Sequence, residues 1–497
     1  MKGIANSLGK LKWGRRAGAV FVLCTTLSAQ TFTTLRSFFG TDGAYPYAGL
    51  IQGADGNFYG TTYGGGSNLS GTAFKITPRG ALTTLYNFCA QDFDDSCTDG
   101  SQPTAALAPA ANGDVFGTTT YGGADGCCSE PAGTVFEIAP SGVFTTLHSF
   151  CSVGSCLDGI IPYAGLVQAA NGDFYGTTEG GGVTGSNSGT IFKITPSGTL
   201  TTLYTFCSQN SPPMYCTDGE APTGGLVQAA SGEFYGTTKA GGANGWGTVF
   251  KISPSGTLST LYSFCSQTGC ADGEYPYGGL VRAASGNFYG TTANGGASDA
   301  GTIFKITPNG TLTTLHNFCS QAGCADGSDP QAALIQATDG NFYGTTFYGG
   351  DDAGGTVFKI TPSGAFTTLH SFCAQPGCPD GQYTYARLVQ ATNGDFYGTT
   401  YQGGANNLGT VFSLSAGLAP FVETRPSSGD VGAAVRILGT DLTGATSVSF
   451  NGTAAVFEVV GATEITTTVP AGATSGTVQV VTPVGMLSSN VPFQVLQ

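Results

Sequence analysis

The sequence predicts an all-β protein, and three observations carry that expectation. The composition is rich in Gly, Thr, Tyr and Phe with only 10% charged residues; one unit recurs at steps of 54 to 60 residues; and each unit holds short β-rich runs separated by turn pairs. With 80 Gly in 497 residues, the chain suits short strands and tight reversals and disfavours long helices. Its length exceeds what a single core supports, so a repeat architecture or several domains is required.

Residues 1–29 read as a secretory signal. Lys2, Lys10, Lys12, Arg15 and Arg16 form a basic start, 17–29 form an apolar stretch, and Leu27-Ser28-Ala29 offers a small-residue cleavage site before Gln30. At about 13 residues that stretch is too short to span a bilayer, and no later segment reads as a membrane helix. The residues after Arg15-Arg16 fit a twin-arginine signal poorly, and bulky Phe21 and Leu23 argue against a lipid anchor at Cys24. Removing five basic residues takes the formal charge from -14 to -19. So acidic a surface repels nucleic acid and anionic lipid and excludes both as partners.

The unit is recognised by Phe-Tyr-Gly-Thr-Thr, starting at Phe58, Phe174, Phe234, Phe288, Phe342 and Phe396, with the variant Val115-Phe116-Gly117-Thr118-Thr119 making a seventh copy. Its period is that of four-stranded propeller blades. In one copy the runs are 279–283, 287–292, 301–307 and 311–318, named a, b, c and d. Ser285-Gly286 lies between a and b, and Pro308-Asn309-Gly310 between c and d, so neighbouring strands should be antiparallel. A d-type run, 31–38, precedes every a, b or c run, whereas the last unit stops after c at 411–415. If these two pair, a seven-bladed β-propeller closes on itself and no sheet edge stays exposed.

The pattern changes near Ala419. Val435-Arg436-Ile437, Ser447-Val448-Ser449-Phe450, 477–481 and 491–495 alternate as half-buried strands of a small sandwich. The expected organisation is therefore signal peptide 1–29, propeller 30–417 and an immunoglobulin-like β-sandwich 418–497. Pro426-Ser427-Ser428-Gly429, Ile437-Leu438-Gly439-Thr440-Asp441-Leu442, Val448-Ser449-Phe450-Asn451-Gly452, Val469-Pro470-Ala471-Gly472 and Thr482-Pro483-Val484-Gly485 resemble the IPT/TIG family of immunoglobulin-like domains. The repeats resemble the GloVer tandem-repeat family of bacterial secreted proteins through Asn171-Gly172-Asp173-Phe174-Tyr175-Gly176-Thr177-Thr178 and Gly189-Thr190-Ile191-Phe192-Lys193-Ile194. Members of that family often end in a surface anchor or sorting tail, which this sequence does not show. Neither resemblance implies a catalytic residue.

Twelve cysteines fall in six pairs after strand d: Cys89 and Cys97, Cys151 and Cys156, Cys207 and Cys216, Cys265 and Cys270, Cys319 and Cys324, Cys373 and Cys378. The first copy, with a shorter loop at 38–43, lacks both members together, as a bonded pair predicts, and an exported chain meets oxidising conditions. Two thiolates per loop without nearby His cannot complete a zinc site. Cys127-Cys128 interrupts the second unit and is left as a vicinal bond or a bridge to another chain.

In an abcd meander the d-to-a and b-to-c connections share one face, so a binding surface is expected there. Trp246, Tyr63, Tyr121, Phe347 and Tyr401 lie in its b-to-c loops and suit stacking on a sugar or peptide; for Trp246, packing against a neighbouring blade is the simpler reading. Asp42, Asp99, Asp158, Asp218, Asp272, Asp326 and Asp380 each precede Gly on this face. Seven carboxylates beside a pore would suit a hard cation such as calcium, although a turn-capping role explains the repetition more simply. His148, His316 and His370 alternate with Tyr and Arg in strand d and read as interchangeable surface positions, as do Lys75, Lys193, Lys251, Lys305 and Lys359 in strand c. No nucleophile, base and acid constellation emerges.

The expected function is a secreted or periplasmic, non-catalytic binding or scaffold protein that contacts a glycan or extracellular protein and needs no cofactor. One alternative is a carbohydrate-active enzyme using acids near the axis, with Asp92, Asp94, Asp95, Glu130, Glu220 and Glu274 as loop candidates. Another is an envelope component held together by calcium.

Overall fold

The computed structural model describes residues 30–91, 97–110, 112–123, 132–151, 156–169, 171–182, 188–207 and 216–496. The signal segment, Cys127-Cys128, Asp92, Asp94, Asp95 and Glu130 lie outside them. Within them the chain is all-β, with only two single-turn 3-10 helices, Thr268–Cys270 and Ala322–Cys324. No helix among the described residues is long and apolar enough to cross a membrane.

The repeats form seven four-stranded sheets, six of which run a, b, c, d in chain order. In the fifth of these six the strands are Val281–Arg282, Phe288–Thr292, Thr302–Ile306 and Leu312–Asn317, paired antiparallel throughout. Strand a is shorter than the expected 279–283. The chain just before it packs backbone on backbone against its neighbours: a Cβ at Gly278 would sit 2.9 Å from the Ala332 backbone, and one at Gly279 2.7 Å from the Gly225 carbonyl oxygen. The remaining sheet takes Val389–Gln390, Phe396–Thr400 and Thr410–Ser415 from the last unit and Thr31–Ser37 from the start of the chain. Thr31 lies opposite Ser415 and Ser37 opposite Thr410, with a bulge between Thr34 and Arg36.

In the Phe-Tyr-Gly-Thr-Thr motif, Phe, Tyr and the first Thr join neighbouring sheets, whereas Gly and the second Thr act within their own. The Phe of one unit stacks on the Tyr of the preceding one, as in Tyr235 with Phe288 at 4.0 Å and Tyr289 with Phe342 at 3.9 Å, and Phe58 stacks in the same way on Tyr397 of the last unit. The Gly is packed too closely to carry a side chain; a Cβ at Gly290 would lie 2.6 Å from the Phe304 ring. The first Thr donates to a backbone carbonyl of the next unit: Thr237 to Gly278 at 3.0 Å, Thr291 to Ala332 at 3.1 Å, Thr345 to Ala386 at 3.2 Å. Thr399 of the last unit makes the same bond to Ala48 of the first, at 3.1 Å. The second Thr pairs with the first Thr of strand c inside its own sheet, as in Thr292 with Thr302 at 2.9 Å, and both are buried.

In every unit the d-to-a loop bridges the b-to-c loop, for example Glu274 with Asn294 and Gln382 with Gln402, so these connections share one face. The C-terminal strands, from Glu423–Arg425 to Gln494–Val495, build two four-stranded sheets and a parallel two-stranded pair around a core that includes Val435, Ile437, Phe450, Ile465, Val480 and Phe493. They rest on the opposite, tight-turn side of the repeats: Thr463 Oγ1 donates to the Ala54 carbonyl at 2.8 Å, Thr392 and Thr440 share a 2.9 Å hydroxyl bond, and the Phe421 amide donates to the Thr392 carbonyl at 2.9 Å.

Phe38, at the end of the N-terminal strand, is fully buried in the core between the last and first units, whereas Phe39 is 56% exposed. Phe38→Ala should therefore cost about 3–5 kcal/mol in denaturant unfolding, and Phe39→Ala less than about 1 kcal/mol. Equal effects would mean that the N-terminal strand is not locked into the last sheet.

Candidate functional site

The segment leading into strand a approaches its counterparts from all seven units around one cavity of about 130 Å³. Four residues ahead of strand a, four units present Tyr47, Tyr163, Tyr277 and Tyr385, and the other three present Thr104, Thr223 and Gln331. The small residues that follow them, such as Ala48-Gly49 and Gly278-Gly279, satisfy the backbone crowding described above. The last unit departs from this rule, because Ala386 is followed by Arg387, which also lines the cavity.

The aromatic side chains close ranks at this opening. Tyr47 stacks on Tyr385 with ring centres 4.1 Å apart and accepts a hydrogen bond from the Tyr163 hydroxyl. Tyr401 meets Tyr385 edge-on at 5.3 Å, and Phe347 lies 4.4 Å from it. Burial pushes the Tyr385 phenol up to about 12, with nearby Tyr401 and Asp329 adding to the effect; burial raises Tyr47 and Tyr163 as well. These phenols are consequently neutral hydrogen-bonding groups at physiological pH. Lys239 pairs with Glu179 and places its ammonium 5.8 Å from the centre of the Tyr277 ring. Asp329, whose carboxyl is raised by burial and lowered in part by Gln331, accepts from Gln331 Nε2 at 2.9 Å. The protein around Arg387 desolvates its guanidinium and lowers it, although the residue stays exposed at the opening.

Of the loop aromatics expected to bind, Phe347 and Tyr401 stand at this cavity and touch its tyrosines. The Tyr63 phenol is raised by burial first and then by Tyr121 and Tyr401, which places the three within electrostatic reach of one another. Trp246 instead packs on the core between its own unit and the next and meets Tyr275 edge-on at 5.0 Å. Glu274, one of the loop acids, has its carboxyl raised by burial and by Asp299, and the Glu220 backbone bridges Ala240. Sequence reasoning missed Tyr47, Tyr163, Tyr277, Tyr385 and Arg387. Their signal was available: Tyr385-Ala386-Arg387 stands where the first unit has Tyr47-Ala48-Gly49.

The seven aspartates do not line this opening. Each turns into its own loop and accepts a hydrogen bond from the strand-d position where Tyr, His and Arg interchange. Tyr86 donates to Asp99 at 2.6 Å, Tyr204 to Asp218 at 2.8 Å and Tyr262 to Asp272 at 2.7 Å. His148, His316 and His370 meet Asp158, Asp326 and Asp380 at 3.0, 3.1 and 3.0 Å, and Arg36 pairs with Asp42. Backbone amides after strand d add to each set, such as Ser320 to Asp326 at 3.0 Å and Phe39 to Asp42 at 2.7 Å. The histidines are thus not interchangeable surface positions: what the alternatives share is a donor aimed at a sheltered carboxylate. Four of the strand-c lysines, Lys75, Lys193, Lys251 and Lys359, likewise meet acids, with Lys251 bonding Glu233 at 3.1 Å and Lys359 bonding Asp339 at 3.2 Å, although such partly exposed pairs contribute little.

All six cysteine pairs are disulfide-bonded: Cys89–Cys97, Cys151–Cys156, Cys207–Cys216, Cys265–Cys270, Cys319–Cys324 and Cys373–Cys378. Among the described residues, one grouping of His, Cys, Asp and Glu brings its ligand atoms within 4.8 Å, namely Cys265, Cys270 and Glu274, and its two sulfurs are already bonded to each other.

Burial pushes the His316 imidazole below its ordinary 6.5, outweighing the attraction of Asp326. The unfolded chain then takes up a proton at a higher pH than the folded one, so this residue costs stability as pH falls through about 6.5. Replacing it by the residue other units use, His316→Tyr, should flatten that part of the melting-temperature profile between pH 7 and pH 5. An unchanged slope would mean that His316 does not titrate differently in the two states.

Comparison with known proteins places these features in context. The model of the Gloeobacter/Verrucomicrobia repeat matches residues 5–215, 212–325 and 319–437, and that of the IPT/TIG domain matches residues 422–495. No curated protein sequence matches the chain. One similar solved structure, a candidate gluconolactonase, shares 12% identity over 79% of this chain and 94% of that chain, with a TM-score of 0.37. The chain belongs to the Gloeobacter/Verrucomicrobia repeat family and carries an IPT/TIG domain at residues 422–495.

Proposed function

We propose that the repeat region is a seven-bladed β-propeller closed by its N-terminal strand, and that the chain is an exported, non-catalytic protein that binds a glycan at the aromatic opening on the loop-rich face. The observation that carries this reading is the convergence of Tyr47, Tyr163, Tyr277 and Tyr385, one from each of four units, at a single cavity. Flat aromatic faces with hydroxyl tips suit a sugar, whose rings offer apolar C–H patches edged by hydroxyls. Closure is supported by the Thr-to-carbonyl bond that joins successive sheets and recurs between Thr399 and Ala48. Six disulfides fit an extracellular or envelope setting. A binding role is favoured over turnover because the acids near the opening are engaged, Glu179 by Lys239 and Asp329 by Gln331. The IPT/TIG domain, docked on the opposite side, then spaces or anchors the propeller without covering that face.

Tyr277→Thr tests the reading with little risk to the fold, since Thr104 and Thr223 occupy the equivalent position in two other units. On a glycan array and by calorimetry with the best ligand found, the variant should bind at least about tenfold more weakly, at an unchanged melting temperature. Absence of any glycan ligand for the intact protein, or hydrolysis of a bound one, would overturn the proposal.

A further inference from the structure

Arg387 is the one charged residue lining the axial cavity, in a column otherwise filled by Gly and Ala: Gly49, Ala106, Gly165, Gly225, Gly279 and Ala333. Those six explain how the side chain is accommodated, for six small neighbours leave the middle of the opening free. No hydrogen bond or ion pair holds Arg387 among the described residues, in contrast to Arg36, Arg425 and Arg436, which are paired with Asp42, Glu423 and Glu464. The side chain is exposed within the opening and has no counter-charge, so its guanidinium is free to meet an anion that enters.

Arg387 also lines a second space of about 510 Å³, bounded on the far side by Glu423, Arg425 and Ser427 of the C-terminal region. There Arg425 already bonds Glu423 at 2.8 Å, leaving Arg387 as the cation without a partner. The loop-face cavity, at about 130 Å³, has room for the end group of a ligand and not for a chain.

We propose that Arg387 receives the carboxylate of a single acidic sugar at the end of a glycan, while the surrounding tyrosines pack on the sugar ring. This rests on the glycan-binding reading above and narrows it to a uronate-type terminus. A planar guanidinium grips a carboxylate through two parallel N–H···O bonds, a geometry no neutral sugar hydroxyl reproduces. The formal charge of -14 restricts the ligand further, because a polyanionic chain is repelled by the surface whereas one terminal carboxylate beside Arg387 is not.

The test compares glucuronic acid, its methyl ester and glucose as titrants of the full chain, wild type and Arg387→Ala. Alanine is the residue of two other units at this position, so the variant should keep its melting temperature. Wild type should prefer glucuronic acid over both neutral sugars by about ten- to a hundredfold, and Arg387→Ala should lose that preference while retaining weak binding of all three. Arg387→Lys, which keeps the charge without the fork, should fall between them. Equal wild-type affinity for the acid and its ester, or an Arg387→Ala variant that keeps the preference, overturns the assignment while leaving glycan binding standing. Binding of none of the three sugars, by a protein that also finds no ligand on the array, overturns both.

Discussion

The repeat region depends on a hydrogen bond made seven times over: a threonine hydroxyl in the second strand of one sheet donates to the backbone of the segment that opens the next sheet. Because the same threonine column joins Thr399 to Ala48, the linkage has no loose end among the sheets. Each bond contributes only about 1 kcal/mol by itself. Its importance is geometric, since it fixes the distance at which successive sheets stand and brings the loops ahead of strand a together. The aromatic stack of Phe on the preceding Tyr follows from that spacing, and so does the crowding of backbone on backbone ahead of strand a, where a Cβ at Gly278 or Gly279 has no room.

That crowding also produces the cavity. Seven segments meeting backbone to backbone tolerate only small residues in their inner column, and the space those residues leave is what the tyrosines overhang and Arg387 enters. A repeat that obeyed its own consensus in every unit would present a symmetric, uncharged opening. Departures from the consensus therefore set the character of this opening, at Arg387 and at the Lys239–Glu179 pair, which stand where the other units have small or aromatic side chains.

Much of this was legible in the amino-acid order because it is written in period and punctuation. The four-stranded unit follows from turn pairs such as Ser285-Gly286, and the pairing of the first strand with the last follows from a d-type run standing alone at the front. The disulfides were legible because both cysteines of a pair are lost together. Tertiary neighbours were not. Nothing local to His316 or Tyr262 says that a carboxylate ten residues on is its partner, so exchange among Tyr, His and Arg looked like indifference when it was the retention of a donor. The aspartates were placed on the correct face and read more simply as turn caps than as a cation ring; what stayed hidden is that strand d supplies their side-chain donors. The short strand a was overestimated for a related reason: β-propensity cannot register that backbone from another unit occupies the space.

The order in which the chain is made gives the N-terminal strand an unusual history. Ser37 finds its companion Ala405 only after 368 further positions have been added, so the first strand of the repeats is seated only once the last repeat is made. Until then Thr410–Ser415 has an unfilled border and Phe38 no place to hide, and every nascent molecule passes through a stage in which one copy's leading strand could dock on another's trailing sheet. Dilution during refolding, by favouring the strand attached to the same chain, sets the yield of monomer over such exchanged assemblies.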